Sequence, residues 1–273
     1  MLVVVCIKQV PDTTQVKIDP VTNTLIREGV PLIVNPFDTH ALEEGLRLKD
    51  RHGVRVAAIS MGPPNAESAL RRALSLGVDD VILISDRVFG GADTLATSNV
   101  LSAAIERLAQ EQKDEVGLVI CGKQTIDGDT AQVGPGIAFR RGFHQLTLVD
   151  RIEHFDPAEG RIRVRRKLEG RHEIVEAPLP ALLTVVREIN RLRYPTVPMR
   201  LMAREATVKV WNNGFLKLNE NTVGLKGSPT WVSKIFSPER AKGEILGDGM
   251  NDPAGTAALL VNQLKAKELL PLS

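Results

Sequence analysis

The chain has 273 residues, of which 43% are hydrophobic and only 4% aromatic, with 35 basic against 33 acidic side chains and a formal net charge of +2. That is enough apolar material for an aliphatic core in one large domain or a domain with appendages. The balanced charge gives no global case for nucleic acid or an acidic membrane surface, and no apolar stretch approaches the roughly 18 residues that cross a bilayer.

Leu2 to Ile7 is a continuous apolar, largely β-branched run, the pattern of a strand covered on both faces. With so short an apolar start and no basic flank it reads as a strand, not a signal peptide, and a cytoplasmic location is expected. Residues 11–34 follow as two short β-like pieces around the Asp19-Pro20 turn, a hairpin excursion. Asn35-Pro36-Phe37-Asp38 then opens a helix with a cap, a proline at the first helical position and an acid in the first turn. Further strands are expected at Val54 to Ser60, Val81 to Ser85 and Val116 to Cys121. Helical patterns lie around Ala41 to Leu48, Ala69 to Leu74 and Leu95 to Leu108. Alternation of strand and helix predicts an α/β fold with a parallel sheet and helices on both faces.

Cys6 and Cys121 sit near the ends of two of these strands. Two buried, reduced thiols are expected, and without a C-x-x-C pair the chain offers no thioredoxin-type or iron–sulfur chemistry. Asp129 to Gln132 (D-T-A-Q) resembles a capping box for the next helix, although Pro135 removes a backbone donor and predicts an irregular start.

The pattern changes after about residue 145. Leu146 to Ile152, Arg161 to Lys167, Glu173 to Glu176 and Leu182 to Val186 read as antiparallel strands, with turns at Asp156-Pro157 and Glu169-Gly170. From Arg187 to about Pro238 the chain has little periodicity. An amphipathic helix is expected over Thr256 to Leu269. The organisation predicted is a nucleotide-binding α/β domain over 1–186, including the antiparallel section, and an extended C-terminal arm over 187–273. An arm of this kind packs on something else.

Three loops follow the carboxyl ends of predicted parallel strands, where open α/β sheets bind ligands. They are Ser60 to Pro64, Ser85 to Ser98 (SDRVFGGADTLATS) and Gly122 to Pro135 (GKQTIDGDTAQVGP). The last two combine glycines, hydroxyls and a helix start, a donor set suited to phosphate. Neither is a Walker loop or G-x-G-x-x-G, so ordinary βα turn chemistry stands beside phosphate binding at this point. Asp127 and Asp129 lack a calcium-loop pattern, the five histidines are scattered, and no serine-nucleophile motif occurs; no metal site and no catalytic side chain are expected.

The stretch Lys123 to Pro135 resembles the signature of the electron transfer flavoprotein β subunit. The blocks Val5 to Asp12 (VCIKQVPD), Asn35 to Asp38 (NPFD) and Met61 to Pro64 (MGPP) match that family in the same order, and the resemblance covers nearly the whole chain. It implies a Rossmann-like fold, a heterodimer with an α subunit, and a C-terminal arm that embraces that subunit. Housekeeping members hold AMP in the β subunit and pass electrons from acyl-CoA dehydrogenases. Electron-bifurcating members, including the Fix-type proteins, hold a FAD there that oxidises NADH.

Ser85 to Ser98 and Asp38 are similar to the bifurcating branch. That branch implies FAD and NAD(H), with a ferredoxin or flavodoxin, a quinone-reducing flavoprotein and a ferredoxin-like subunit as partners. Carried over residue by residue, Cys6, Asn35, Phe37, Asp38 and Met61 would line the adenosine pocket. Gly122, Lys123, Gln124, Thr125, Asp127, Gly128, Asp129, Thr130, Gln132 and Val133 would wrap the nucleotide. Asp93, Thr94, Thr97 and Ser98 would contact the pyrophosphate or bound NAD. Tyr194, Val197 and Met199 would lie in the partner-recognition loop, where a valine at 197 replaces the leucine common in the family and bears on the dehydrogenase partner.

Overall fold

The computed structural model describes residues 1–12, 17–18, 25–26, 31–233 and 243–270. It forms two compact units, Met1–Lys234 and Ile235–Ser273. The first unit begins with β1 (Leu2–Cys6), every residue of which is buried. The excursion that follows is a pair of antiparallel ladders, β2 (Gln9–Pro11) with β5 (Leu32–Val34) and β3 (Lys17–Ile18) with β4 (Leu25–Ile26). The Asp19-Pro20 turn lies outside the described residues.

The doubly wound core then unfolds in chain order as α1 (Pro36–His52), β6 (Arg55–Met61), α2 (Glu67–Leu76), β7 (Asp80–Ile84), α3 (Thr94–Gln112), β8 (Val116–Gly122) and α4 (Val133–Arg141). β1 pairs in parallel with β6 on one side and β8 on the other. Its alternate residues serve two aliphatic cores. Val3, Val5 and Ile7 pack with Leu42, Leu46 and Leu70 of α1 and α2. Leu2, Val4 and Cys6 pack with Val100, Ile105 and Ile137 of α3 and α4. From β1 the chain crosses to β6; after β7 it returns to the opposite side of β1 as β8. The carboxyl ends of β1 and β8 therefore lead to opposite faces, which opens the crevice where such sheets take ligands.

The later strands are β9 (His144–Asp156), β10 (Arg161–Leu168), β11 (Arg171–Pro178) and β12 (Ala181–Val185). β9, β10 and β11 are antiparallel as expected, turning at the two predicted places. The strand expected as antiparallel at Leu182 to Val186 is not: β12 inserts between β8 and β9, parallel to both. Its five residues are all buried. A continuous apolar run of this length belongs to a central parallel strand with both faces covered.

The stretch from Arg187 onward holds more regular structure than its weak periodicity suggested. It contains α5 (Val197–Glu205), β13 (Lys209–Trp211) and α6 (Asn213–Leu216). β13 adds a parallel edge strand to β7, anchored by Trp211, which is buried and packs against Phe215 at 4.9 Å between ring centroids. Three residues are too few to carry a period. Among the described residues, nine strands form one sheet in the order β11-β10-β9-β12-β8-β1-β6-β7-β13. In the second unit, α7 (Pro253–Ala266) starts three residues before the expected position, at an Asp252 cap whose carboxylate accepts from Gly255 N. Among the described residues no helix is long and apolar enough to cross a membrane.

Candidate nucleotide-binding site

The crevice between β1 and β8 is organised by the first turn of α1. Asn35 and Asp38 are both buried, and neither acts as an ordinary helix cap. The Asp38 carboxylate instead accepts from Lys8 N at 2.8 Å and from Gly122 N at 3.2 Å, joining the tips of the two strands. Burial raises its pKa from 3.8 to about 7 against these hydrogen bonds and that of Asn35. Asn35 holds the loop beyond β8: its Nδ2 donates to Gln124 O at 2.8 Å and its Oδ1 accepts from Ile126 N at 3.2 Å. Gly122 has to be glycine because a Cβ there would stand 2.3 Å from Asp38 Oδ1 and 2.7 Å from Phe37 Cβ.

The rest of that loop is internally tied. Lys8 Nζ reaches Asp127 Oδ1 and Oδ2 at 2.9 and 2.7 Å. Burial disfavours the charged form of Asp127, but the hydrogen bond and charge of Lys8 outweigh it and hold its pKa below the usual value. Gln124 Nε2 donates to Asp129 Oδ1 at 2.7 Å. Asp129 is not the cap the sequence suggested: it lies in the left-handed region at φ 51°, and α4 begins four residues later. Pro135 is the reason. A helix started at Thr130 would need the N–H that Pro135 lacks, whereas a start at Val133 leaves the proline in the first turn, where no donor is required. No side chain caps α4. Both acids of the loop are thus engaged, and the start of α4 offers donors.

The second loop meets the first. Asp86 caps the turn Arg87–Phe89, and Asp93 caps α3 by accepting from Ala96 N at 3.0 Å. Thr94 Oγ1 donates to Gln132 Oε1 at 2.8 Å, which brings the start of α3 beside the start of α4. Ser98 is buried against the Gly136 backbone position, with its hydroxyl donating to Leu95 O. Cys6 and Cys121 are free, buried and directly opposite each other in register. Their mutual hydrogen bond and burial push the Cys121 thiol well above its ordinary pKa. Met61 ends β6 on the same face as Cys6 and Cys121.

The comparisons decide what kind of protein carries this crevice. Residues 22–215 match the model of the electron transfer flavoprotein domain. The chain belongs to the electron transfer flavoprotein family, as a β subunit of the FixA type. It is 48% identical over 264 residues to the Azotobacter vinelandii protein FixA, covering 96% of this chain and 93% of that one. It is 45% identical over 272 residues to the electron transfer flavoprotein subunit β of Clostridium acetobutylicum, covering 99% and 100%. A third relative, the CarD subunit of the caffeyl-CoA reductase–Etf complex of Acetobacterium woodii, is 45% identical over 273 residues with the same coverages. The likeness extends past residue 215, so the C-terminal residues belong to what these flavoprotein subunits share.

Of the residues expected in the recognition loop, Tyr194 precedes α5 and Val197 and Met199 lie in its first turn. Tyr194 and Val197 are exposed, while Met199 turns inward, its Cε 3.2 Å from where a Gly77 side chain would begin. Phe37 and Lys123 face sideways into a groove of about 440 Å3 that Leu148, Lys167 and Arg187 also line; no residue of Ser85 to Ser98 reaches it. Lys123 and Arg187 stand 5.8 and 5.2 Å from the Phe37 ring centre. Sequence reasoning missed Lys8, although it lies in the quoted VCIKQVPD block, and missed Ser228 and Thr230, which no local pattern marks.

Proposed function

We propose that this chain is the NADH-oxidising β subunit of an electron-bifurcating electron transfer flavoprotein, binding FAD in the crevice and working as a heterodimer with an α subunit. The carrying observation is the Thr94–Gln132 hydrogen bond, which joins the Ser85 to Ser98 loop to the Gly122 to Val133 loop. A monophosphate needs one helix start. Two adjoining starts, of which α4 is uncapped, suit two pyrophosphates side by side, those of FAD and NADH, whose charges favour backbone N–H groups and the positive ends of helices. The fit extends to the charges: Asp127 is paired with Lys8 and Asp129 accepts from Gln124, so both acids of the loop are occupied within the chain.

When bound, FAD supplies hydride acceptance from NADH and division of the electron pair between a low-potential ferredoxin or flavodoxin and, through the α-subunit FAD, a quinone-reducing partner. The protein's part is position, polarity and exclusion of water. Asn35 and Asp38 fix the loop that wraps the adenosine end. Cys6, Met61 and Cys121 give that end a soft, apolar wall. The uncapped α4 start and its loop would hold the FAD pyrophosphate, Thr94 ties that loop to its neighbour, and Thr97 with the Gly90-Gly91 turn would face the pyrophosphate of NADH. Residues 187–273 recognise the partners and wrap the α subunit, with Tyr194 and Val197 offered outward.

Flavin and AMP are to be counted in the purified αβ heterodimer after denaturing release. The reading expects two FAD and no AMP; one FAD with one AMP would replace it by the housekeeping electron carrier.

A further inference from the structure

The Ser85 to Ser98 loop does not stand on its own residues. A later piece of chain, residues 222–230, lies along it. Gly224, at φ 57°, comes so close that a Cβ would sit 1.9 Å from Val88 O. Leu225 N donates to Gly90 O at 3.0 Å, and the Leu225 side chain packs beside Gly91. Asn99 Nδ2 donates to Thr222 O at 3.0 Å. The densest contacts are at Asp93. Its N–H donates to Ser228 Oγ at 2.8 Å, and its Oδ2 accepts from Thr230 Oγ1 at 2.8 Å and Thr230 N at 3.2 Å, while Oδ1 caps α3. Ser228 Oγ in turn donates to Gly224 O at 2.7 Å.

These contacts argue against a direct meeting of Asp93 with a phosphate. Its carboxylate is ionised, its oxygens already accept from Ala96 N, Thr230 N and Thr230 Oγ1, and a second anion at hydrogen-bonding distance would be repelled. The Thr94 hydroxyl already donates to Gln132, so the groups beside Asp93 that suit a pyrophosphate are the Thr97 hydroxyl and the backbone of the Gly90-Gly91 turn, which the strap braces.

We propose that Asp93 is a positioning residue that, through Thr230 and Ser228, straps residues 222–230 against the Gly90 to Thr94 turn and so sets the affinity of that turn for the pyrophosphate of NADH. The inference rests on the NADH-oxidising reading above. It explains why a segment with so little periodicity is ordered: each of its turns serves the loop.

The test uses the αβ heterodimer and the exchange Thr230→Val, which deletes the hydroxyl donor at the surface and leaves the backbone contact. Losing one charge-assisted hydrogen bond of this partly exposed kind raises the KM for NADH roughly three- to tenfold. kcat and flavin content stay unchanged, amide exchange over residues 222–233 speeds up, and Thr230→Ser restores KM. Faster exchange with an unchanged KM would make the strap purely structural and overturn the inference alone. So would a raised KM that serine fails to restore. A wild-type heterodimer that does not react with NADH at all overturns the inference together with the reading on which it rests.

Discussion

The two loops that meet at Thr94 and Gln132 are supported in opposite ways. Gly122 to Gln132 is held from within the core by the buried Asn35 and Asp38 at the start of α1, with an exposed tie from Lys8 just beyond β1. Ser85 to Ser98 is held from outside, by β13, α6 and residues 222–230, all of which come more than a hundred residues later in the chain. Ser85 N donates to Trp211 O at 2.9 Å, and Asp86 Oδ2 accepts from Asn213 N at 2.9 Å. One wall of the crevice is therefore as rigid as the sheet, and the other is as stable as the strap behind it. On the function proposed above, such a site would fix the adenosine end and leave the affinity of its second wall adjustable.

The largest effect on the rigid wall is expected from pH, through Asp38. Because the folded-state pKa lies near 7 and the ordinary value is 3.8, the native state retains a proton that the unfolded chain releases. This contribution is fully present below about pH 4 and is lost as pH rises to about 7, a change worth up to about 4 kcal/mol. Urea unfolding from pH 4.5 to 8 measures that slope; Asp38→Asn is expected to remove it, and an unaltered slope would assign it to other groups. Gly122→Ala comes next. Its Cβ would meet backbone and buried atoms that cannot move aside, so a loss of about 3 kcal/mol is expected, at the upper end of overpacking. Asn35→Ala abandons two loop hydrogen bonds and leaves a buried cavity. It is expected to cost about 2 kcal/mol and to lower nucleotide retention more than Thr230→Val does, because it loosens the rigid wall. Lys8→Met tests the weakest link. The ion pair with Asp127 has a lysine side chain 46% exposed, so under about 1 kcal/mol is expected, with a salt dependence that the mutation abolishes.

The same contrast explains what was legible in the sequence. β1, β6, β7 and β8 show themselves as continuous apolar runs, and the first loop announces itself because its glycines, its cap residues and the NPFD turn that supports it are each local patterns. The remaining elements depend on choices between local and distant partners. β12 follows hairpin strands whose local pattern suggests their direction, yet its unbroken burial marks a central parallel strand that returns to β8. Asp129 has the residues of a cap but loses that role to Pro135. β13 and the 222–230 strap have no period because each residue answers to a different neighbour across the fold: Trp211 to the aliphatic core, Gly224 to Val88 O, Thr230 to Asp93. Such pairing is absent from any window of sequence, and it is also where the second wall gets its shape.

Whether the crevice carries a flavin serving NADH is read out by anaerobic titration of the purified αβ heterodimer with NADH while its visible spectrum is recorded. Bleaching of the flavin absorbance by stoichiometric NADH, without added partner proteins, is the predicted result. A spectrum unchanged by excess NADH but bleached by a chemical reductant would contradict the account.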